Sequence, residues 1–342
     1  MLQWTLVGGA ALVSWLLTGR VRRYALASAL FDMPNERSAH ARPIPRGGGL
    51  AIVVVTVAGG VAAVVLGWIA PAIGLALAGG LPVALIGWLD DRRSQPASRR
   101  ALVQTVAAVW AVWLLGGLPA LKVGESIVPL GAAGAMLAVI SIVAATNFFN
   151  FMDGIDGLAA GEALVAGGVG GALLWVSGNS GLGFVSLVIA AASAGFLVWN
   201  WSPARIFMGD IGSGFLGFVI AVLALASERS GALPLLLWAL ILGVFIFDAL
   251  LTVLRRVAFG EQWHGAHRSH AYQRAVQSGM SHAGVASLSI FTTLVLGGLA
   301  ALGVWRSALV GVVAVAGVIL LSVIYLAVER RRPMSRTDDG RL

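Results

Sequence analysis

The chain has 342 residues, 58% of them hydrophobic and 11% charged, with no cysteine and a formal net charge of +8. So apolar a composition excludes a soluble domain with an ordinary polar surface, and the absence of cysteine excludes disulfides and thiolate metal sites. The basic residues are scattered along the chain, so the charge describes membrane orientation and no nucleic acid is expected as a partner.

In chain order, eleven apolar stretches are predicted as helices at 2–19, 49–69, 71–89, 102–118, 128–146, 159–177, 182–199, 212–227, 233–253, 286–304 and 308–328. Helices of roughly 17–25 residues suffice to cross a hydrocarbon layer of ~30 Å. No basic residue precedes the first stretch, whereas Arg20, Arg22 and Arg23 follow it. That order is the reverse of a secretory signal peptide, so the stretch is expected to remain as a span with its N-terminus outside. Alternation then puts 20–47, 90–101, 147–158, 200–211, 254–285 and the tail after 329 in the cytoplasm. Those segments hold 20 of the 23 basic residues, leaving Lys122, Arg229 and Arg306 outside, a strong positive-inside bias. Trp68, Trp88, Trp113, Trp175, Trp199, Trp201 and Trp305 fall near predicted helix ends, as interfacial aromatics should. The expected fold is an all-α polytopic membrane protein of about 11 transmembrane helices. Its N-terminus is periplasmic and its C-terminus cytoplasmic, with one transmembrane domain over 1–328 and a tail over 329–342.

The polar residues follow the same order. The first loop carries Arg37, His40, Arg42 and Arg46 among three prolines, suited to binding an anion or simply to the positive-inside bias. Asp90 and Asp91 end the third predicted span. Asn147, Asn150, Asp153 and Asp156 share one short segment, and Arg205 and Asp210 precede a helix that opens with Gly212, Ser213 and Gly214. Taken singly, Asp91 beside Arg92 reads as an end-of-helix pair, and Asp153 and Asp210 read equally well as helix N-caps. Together, five carboxylates from three loops share one membrane level, where ionised groups are costly without a compensating charge. A hard divalent cation, Mg²⁺ with Mn²⁺ as a substitute, suits such oxygens and a phosphorylated substrate. Gly212, Gly214 and Gly217 match a dinucleotide-binding spacing but follow no strand, so that reading is rejected. His264, His267 and His270 have a spacing that could suit zinc, but no further histidine or cysteine is placed to complete such a site, and with Arg268 they suit phosphate or sugar hydroxyls. Asp248 lies inside the ninth span with its role open, and His282 reads as a surface residue.

Five motifs in this order resemble those of the polyprenyl-phosphate N-acetylhexosamine-1-phosphate transferases, the glycosyltransferase family 4 that includes peptidoglycan translocase I. They are Asp32-x-Pro34-x-x-Arg37-x-x-His40, Asp90-Asp91 with Arg100-x-x-x-Gln104, Asn147 to Gly157, Gly209-Asp210-x-Gly212-Ser213, and His264 to Arg274. The forms of the first and last motifs look most like the subgroup that initiates O-antigen or capsule repeats. Ser38 stands where many members have lysine, and the His-His-His and Asn-Pro-Asn patterns of other branches are absent.

The resemblance implies an active site of cytoplasmic loops in a bacterial inner membrane, with release of UMP as a UDP-N-acetylaminosugar (GlcNAc, FucNAc or QuiNAc type) gives its sugar 1-phosphate to undecaprenyl phosphate. On this reading Asp91, Asp153 and Asp210 hold Mg²⁺, Asp90 positions the nucleophile or acts as a base, and Asp156 lines the same cavity. Arg37, His40, Asn147, Asn150, Arg205, His267, Arg268 and His270 bind substrate. Membrane lipids and a second copy of the chain are candidate partners. The rival reading is an ion- or proton-coupled secondary transporter, for which Asp248 is the best-placed residue.

Overall fold

The computed structural model describes residues 1–33, 43–261 and 268–334. Every predicted apolar stretch is helical, because a backbone in lipid must satisfy its own hydrogen bonds. α1 spans Leu2–Ala27 and is followed, after a two-stranded pairing of β1 (Phe31–Asp32) with β2 (Ile44–Pro45), by α2 (Gly49–Val65). The third predicted stretch is two helices, α3 (Pro71–Ala78) and α4 (Gly80–Arg92). α5 (Ala97–Leu114) leads to a hairpin of β3 (Ala120–Val123) and β4 (Ser126–Pro129), then α6 (Gly131–Met152), α7 (Leu158–Val176), α8 (Ser180–Asn200) and α9 (Asp210–Arg229). The ninth stretch breaks into α10 (Leu235–Ile241) and α11 (Gly243–Ala258), which meet at 83°. α12 (Ala271–Gln277), α13 (His282–Trp305) and α14 (Val310–Arg331) complete the described chain.

Among the described residues, eight helices are long and apolar enough to cross a bilayer unbroken, or nine if the bent α10–α11 pair counts as one span. Two of the eleven expected spans fall short of that standard: α2 has 17 residues, and α5 carries Arg99 and Arg100 in its first turn. The strand pairs were not expected from the sequence. They are short, and each simply closes a loop at one end of the bundle.

α8 packs between α1 and α7, and α9 is surrounded by α2, α4 and α6. α9 is almost wholly enclosed, whereas Leu12, Val61, Leu102, Phe291 and Ile319 face outward, as side chains meeting lipid do. The central helices approach closely because glycines remove the obstacle. A Cβ on Gly49 would overlap the Cα of Gly212, and one on Gly87 would overlap the carbonyl of Asp210. Of the glycines resembling a dinucleotide fingerprint, Gly212 and Gly217 are therefore packing positions, with Gly217 lying against Ala145 and Thr146 of α6.

The two ends of the bundle differ in chemistry. The Trp4 ring lies 4.8 Å from that of Trp175 at the end of α7, and the β3–β4 hairpin joins α9 there through Lys122 N–H and Glu228. The opposite end gathers the acidic segments and the last turn of α14, so α1 begins and α14 finishes at opposite ends.

Candidate active site

The site lies where α2, α4, α6 and α9 reach that second end. α6 runs through Met152, six residues past its predicted limit, so Asn147 and Asn150 stand on a helix rather than in a loop. Asn147 Nδ2 donates to Gln104 Oε1 and to the Val143 carbonyl, both at 2.8 Å, and Asn150 Nδ2 donates to Ser213 Oγ at 3.0 Å. These two amides, three residues apart on one face, tie α6 to α5 and to α9.

Asp91, buried in the last turn of α4, has four donors. Its Oδ1 accepts from Arg46 Nη2 at 2.7 Å, Arg46 Nε at 3.1 Å and the Asp210 N–H at 3.0 Å, and its Oδ2 accepts from the Ile211 N–H at 3.2 Å. Asp91 thus fills, from another helix, the place of an N-cap on α9, where free N–H groups favour an anion. Gly209, at φ +78°, makes room for it: a Cβ there would collide with the Asp91 carboxylate. Arg46 also reaches Asp32 at 3.4 Å. On the other flank, Arg100 Nη1 bridges Asp90 at 3.1 Å and Asp210 at 3.3 Å, and Asp90 accepts the Gln95 N–H at 2.5 Å. The Asp91–Arg92 pair considered from sequence is not formed, since Arg92 bonds Tyr24 Oη and lies over Trp88.

Asp153 is different. It sits half-buried at the C-terminal cap of α6, and no hydrogen bond or ion pair reaches its carboxyl among the described residues. Burial, followed by the negative charges of Asp210 and Asp91, holds its pKa well above the usual carboxylate range, as desolvation and neighbouring like charges do. Among the described residues no three His, Asp or Glu side chains close on a common point as a metal centre.

Asp156 is held in a brace with partners of its own. Its Oδ2 accepts the Ala204 N–H at 3.1 Å, and its Oδ1 lies 3.4 Å from His282 Nδ1 at the start of α13. His282 is therefore no simple surface residue. Burial alone would push the Asp156 carboxyl up, but His282 and the Ala204 N–H together hold it below its ordinary value. Stability from this brace is present at neutral pH and is lost as pH falls through that lowered pKa. His282→Ala is expected to cost about 1 kcal/mol and to move the acid limb of the stability curve to higher pH. Thermal unfolding across the acid range checks both effects. Asn200, which no sequence motif marks, completes the brace: its Oδ1 accepts the Gly157 N–H and its Nδ2 donates to the Ile206 carbonyl, both at 3.0 Å.

Arg205 stands apart from the acids, exposed, with its guanidinium 5.9 Å above the Trp199 ring. His270 is buried against Asp248, 3.4 Å away, and stacks on Tyr272. Arg268 lies next to this segment, and its carbonyl accepts from Gln277. Arg37, His40 and His267, with His264, lie outside the described residues.

Fold and site together define an all-α polytopic membrane protein with an acid-rich, arginine-braced site at one end of its helix bundle. Residues 73–228, which contain Asp90, Asp91, Asp153, Asp156 and Asp210, match the model of glycosyl transferase family 4. The chain is similar, at 31% identity over 304 residues, to the decaprenyl-phosphate N-acetylglucosaminephosphotransferase of Mycobacterium tuberculosis (strain ATCC 25618 / H37Rv), with 80% of this chain and 75% of that one covered. It belongs to glycosyl transferase family 4. It is also similar to the probable undecaprenyl-phosphate N-acetylglucosaminyl 1-phosphate transferase of Bacillus subtilis (strain 168), 38% identical over 100 residues, 29% of this chain and 28% of that protein. A phospho-N-acetylmuramoyl-pentapeptide-transferase of Chloroherpeton thalassium is 37% identical over 87 residues, 25% of this chain and 22% of its own. The chain thus spans about a quarter of the length of these last two relatives.

Proposed function

We propose that the protein transfers an N-acetylaminosugar 1-phosphate from a UDP-sugar to undecaprenyl phosphate with release of UMP, at the cytoplasmic side of a bacterial inner membrane. On this reading it initiates a lipid-linked surface polysaccharide of the O-antigen or capsule type. The observation that carries the proposal is the carboxyl of Asp153, without a partner among the described residues and close enough to Asp210 to feel its charge, at an end of the bundle where a bilayer-embedded phosphate and a soluble nucleotide can meet. The named activities of the relatives support the same reaction class.

The oxygen donors fit Mg²⁺, which ordinarily takes one or two protein carboxylates and completes its shell with waters and substrate phosphates. Asp153 and Asp210 would hold it, with Asp90 adjacent. The ion, when bound, neutralises charge on the transferring phosphoryl group. In the described geometry Asp91 already has four donors and acts by fixing Arg46 and the start of α9. Arg46 and Arg100 flank the carboxylates as cations able to meet phosphate oxygens. A phosphate nucleophile is largely ionised near neutral pH, so Asp90 needs only to orient its neighbours. Asp248, the residue on which a transporter reading rests, is bonded to backbone N–H groups.

Membranes carrying the protein, supplied with undecaprenyl phosphate and a panel of UDP-aminosugars, are expected to release UMP and form a lipid-linked product. Silence from the whole panel would remove the proposal. Because Asp153 must give up its proton to bind a cation, the Mg²⁺ concentration for half-maximal rate should fall as pH rises, until the raised pKa of Asp153 is passed. Mg²⁺ titrations from mildly acid to mildly alkaline pH measure this. A requirement independent of pH would remove Asp153 from the ligand set.

A further inference from the structure

Asp248 makes contacts beyond anything the proposed transfer step requires. It is buried in α11, which the 83° break turns away from α10 and lays against the end of α6, with the Phe245 and Phe149 rings 5.0 Å apart. Its carboxylate accepts the Ala271 N–H at 2.8 Å, the Tyr272 N–H at 3.0 Å and the Thr252 hydroxyl at 3.1 Å, and faces His270 Nδ1 at 3.4 Å. The nearby arginines have other partners, Glu329 for Arg255 and Glu261 for Arg256. A carboxylate with this set of donors holds the start of α12 in one position.

Tyr272 continues the chain of contacts. Its hydroxyl donates to the Phe151 carbonyl at 3.0 Å, and its hydroxyl oxygen lies against Gly154 so closely that a Cβ there would overlap it. Phe151 lies in the last turn of α6 and Gly154 directly follows Asp153, so the two contacts straddle the start of the short turn that the Asp156 brace holds from the other side.

We propose that Asp248 and Tyr272 are positioning residues that form one strut from α11, through the start of α12, to the turn carrying Asp153, and so set where that carboxyl stands in the site. The activity arm of the test rests on the transferase reading, and the structural arm does not. Partners that orient a metal-holding group typically change metal affinity or activity by roughly 10–100-fold when altered. Asp248→Asn leaves a neutral acceptor for two N–H donors, and Tyr272→Phe removes only the hydroxyl.

Each variant of the full-length protein is expected to raise the Mg²⁺ concentration for half-maximal UMP release by roughly 10-fold or more. The double variant should be no worse than the more severe single one, because both changes act on one strut. Hydrogen exchange supplies the arm that needs no activity. The amides of Ala271 and Tyr272 should exchange faster in Asp248→Asn, and those of residues 152–156 should exchange faster in both variants. Unaltered exchange over 152–156 in Tyr272→Phe, or effects on the Mg²⁺ requirement that simply multiply in the double variant, would overturn the strut. If the wild-type protein releases no UMP, the transferase reading falls and the exchange data alone decide the strut.

Discussion

Asp153→Asn should lower UMP release by roughly 10²–10³-fold, the cost of removing one charge-stabilising group from an active site, while leaving the protein as stable as before or more so. The two halves of this result have one cause. The carboxyl has no partner among the described residues, and its pKa is held well above the ordinary range, so the native protein binds that proton more tightly than the unfolded chain does. Stability of the parent therefore declines as pH rises from the ordinary carboxylate range through the raised value. Asparagine does not titrate, and the advantage of the variant should widen over the same window. UMP release and thermal unfolding of the same preparations test this directly. A variant that melts well below the parent at neutral pH would mean that Asp153 holds the fold together.

Asp91→Ala should behave in the opposite way, losing activity and stability together. Removing Asp91 strips Arg46 of its closest partner and leaves the N–H groups of Asp210 and Ile211 without acceptors. Breaking a buried ion pair costs about 3–5 kcal/mol, and because Arg46 keeps a quarter of its side chain exposed, about 2–3 kcal/mol is expected here. Denaturant or thermal unfolding in detergent reads the loss. Full stability with abolished activity would move Asp91 into the ligand set and release it from its structural role.

The contrast between these two aspartates shows what the sequence could and could not disclose. Both are conspicuous because a charge at the end of an apolar helix is expensive, and that expense is visible without a structure. Their different duties depend on Arg46, 45 residues before Asp91, and on the first N–H groups of α9, some 120 residues after it. No local pattern encodes such a meeting. The same holds for Asp156 with His282 and for Asp248 with His270, where the histidine alone looked like a surface residue or a ligand.

The helices were legible for an equally physical reason, since lipid permits little else over that length of apolar chain. The breaks within them were not. Gly79 between α3 and α4, and Leu242 between α10 and α11, interrupt segments that are apolar on both sides, and hydropathy has no means of registering a change of direction. The apolar stretch ends at 146, where Asn147 and Asn150 begin to lower the apolar count, whereas α6 runs on to Met152. In the structure their amides are paired with Gln104, Val143 and Ser213, which removes the penalty that would have ended the helix.

The contact of Gly49 with Gly212, and of Gly87 with Asp210, has a consequence for genetics. The helices that touch there carry Asp91 in the last turn of α4 and Asp210 at the start of α9, and Arg46 stands just before the start of α2, so packing and chemistry lie within a few residues of each other. A mutational scan should therefore find these glycines as intolerant as the aspartates, even though they have no side chain to contribute. Second-site suppressors of a glycine substitution should fall on the facing helix rather than in the substrate-binding loops.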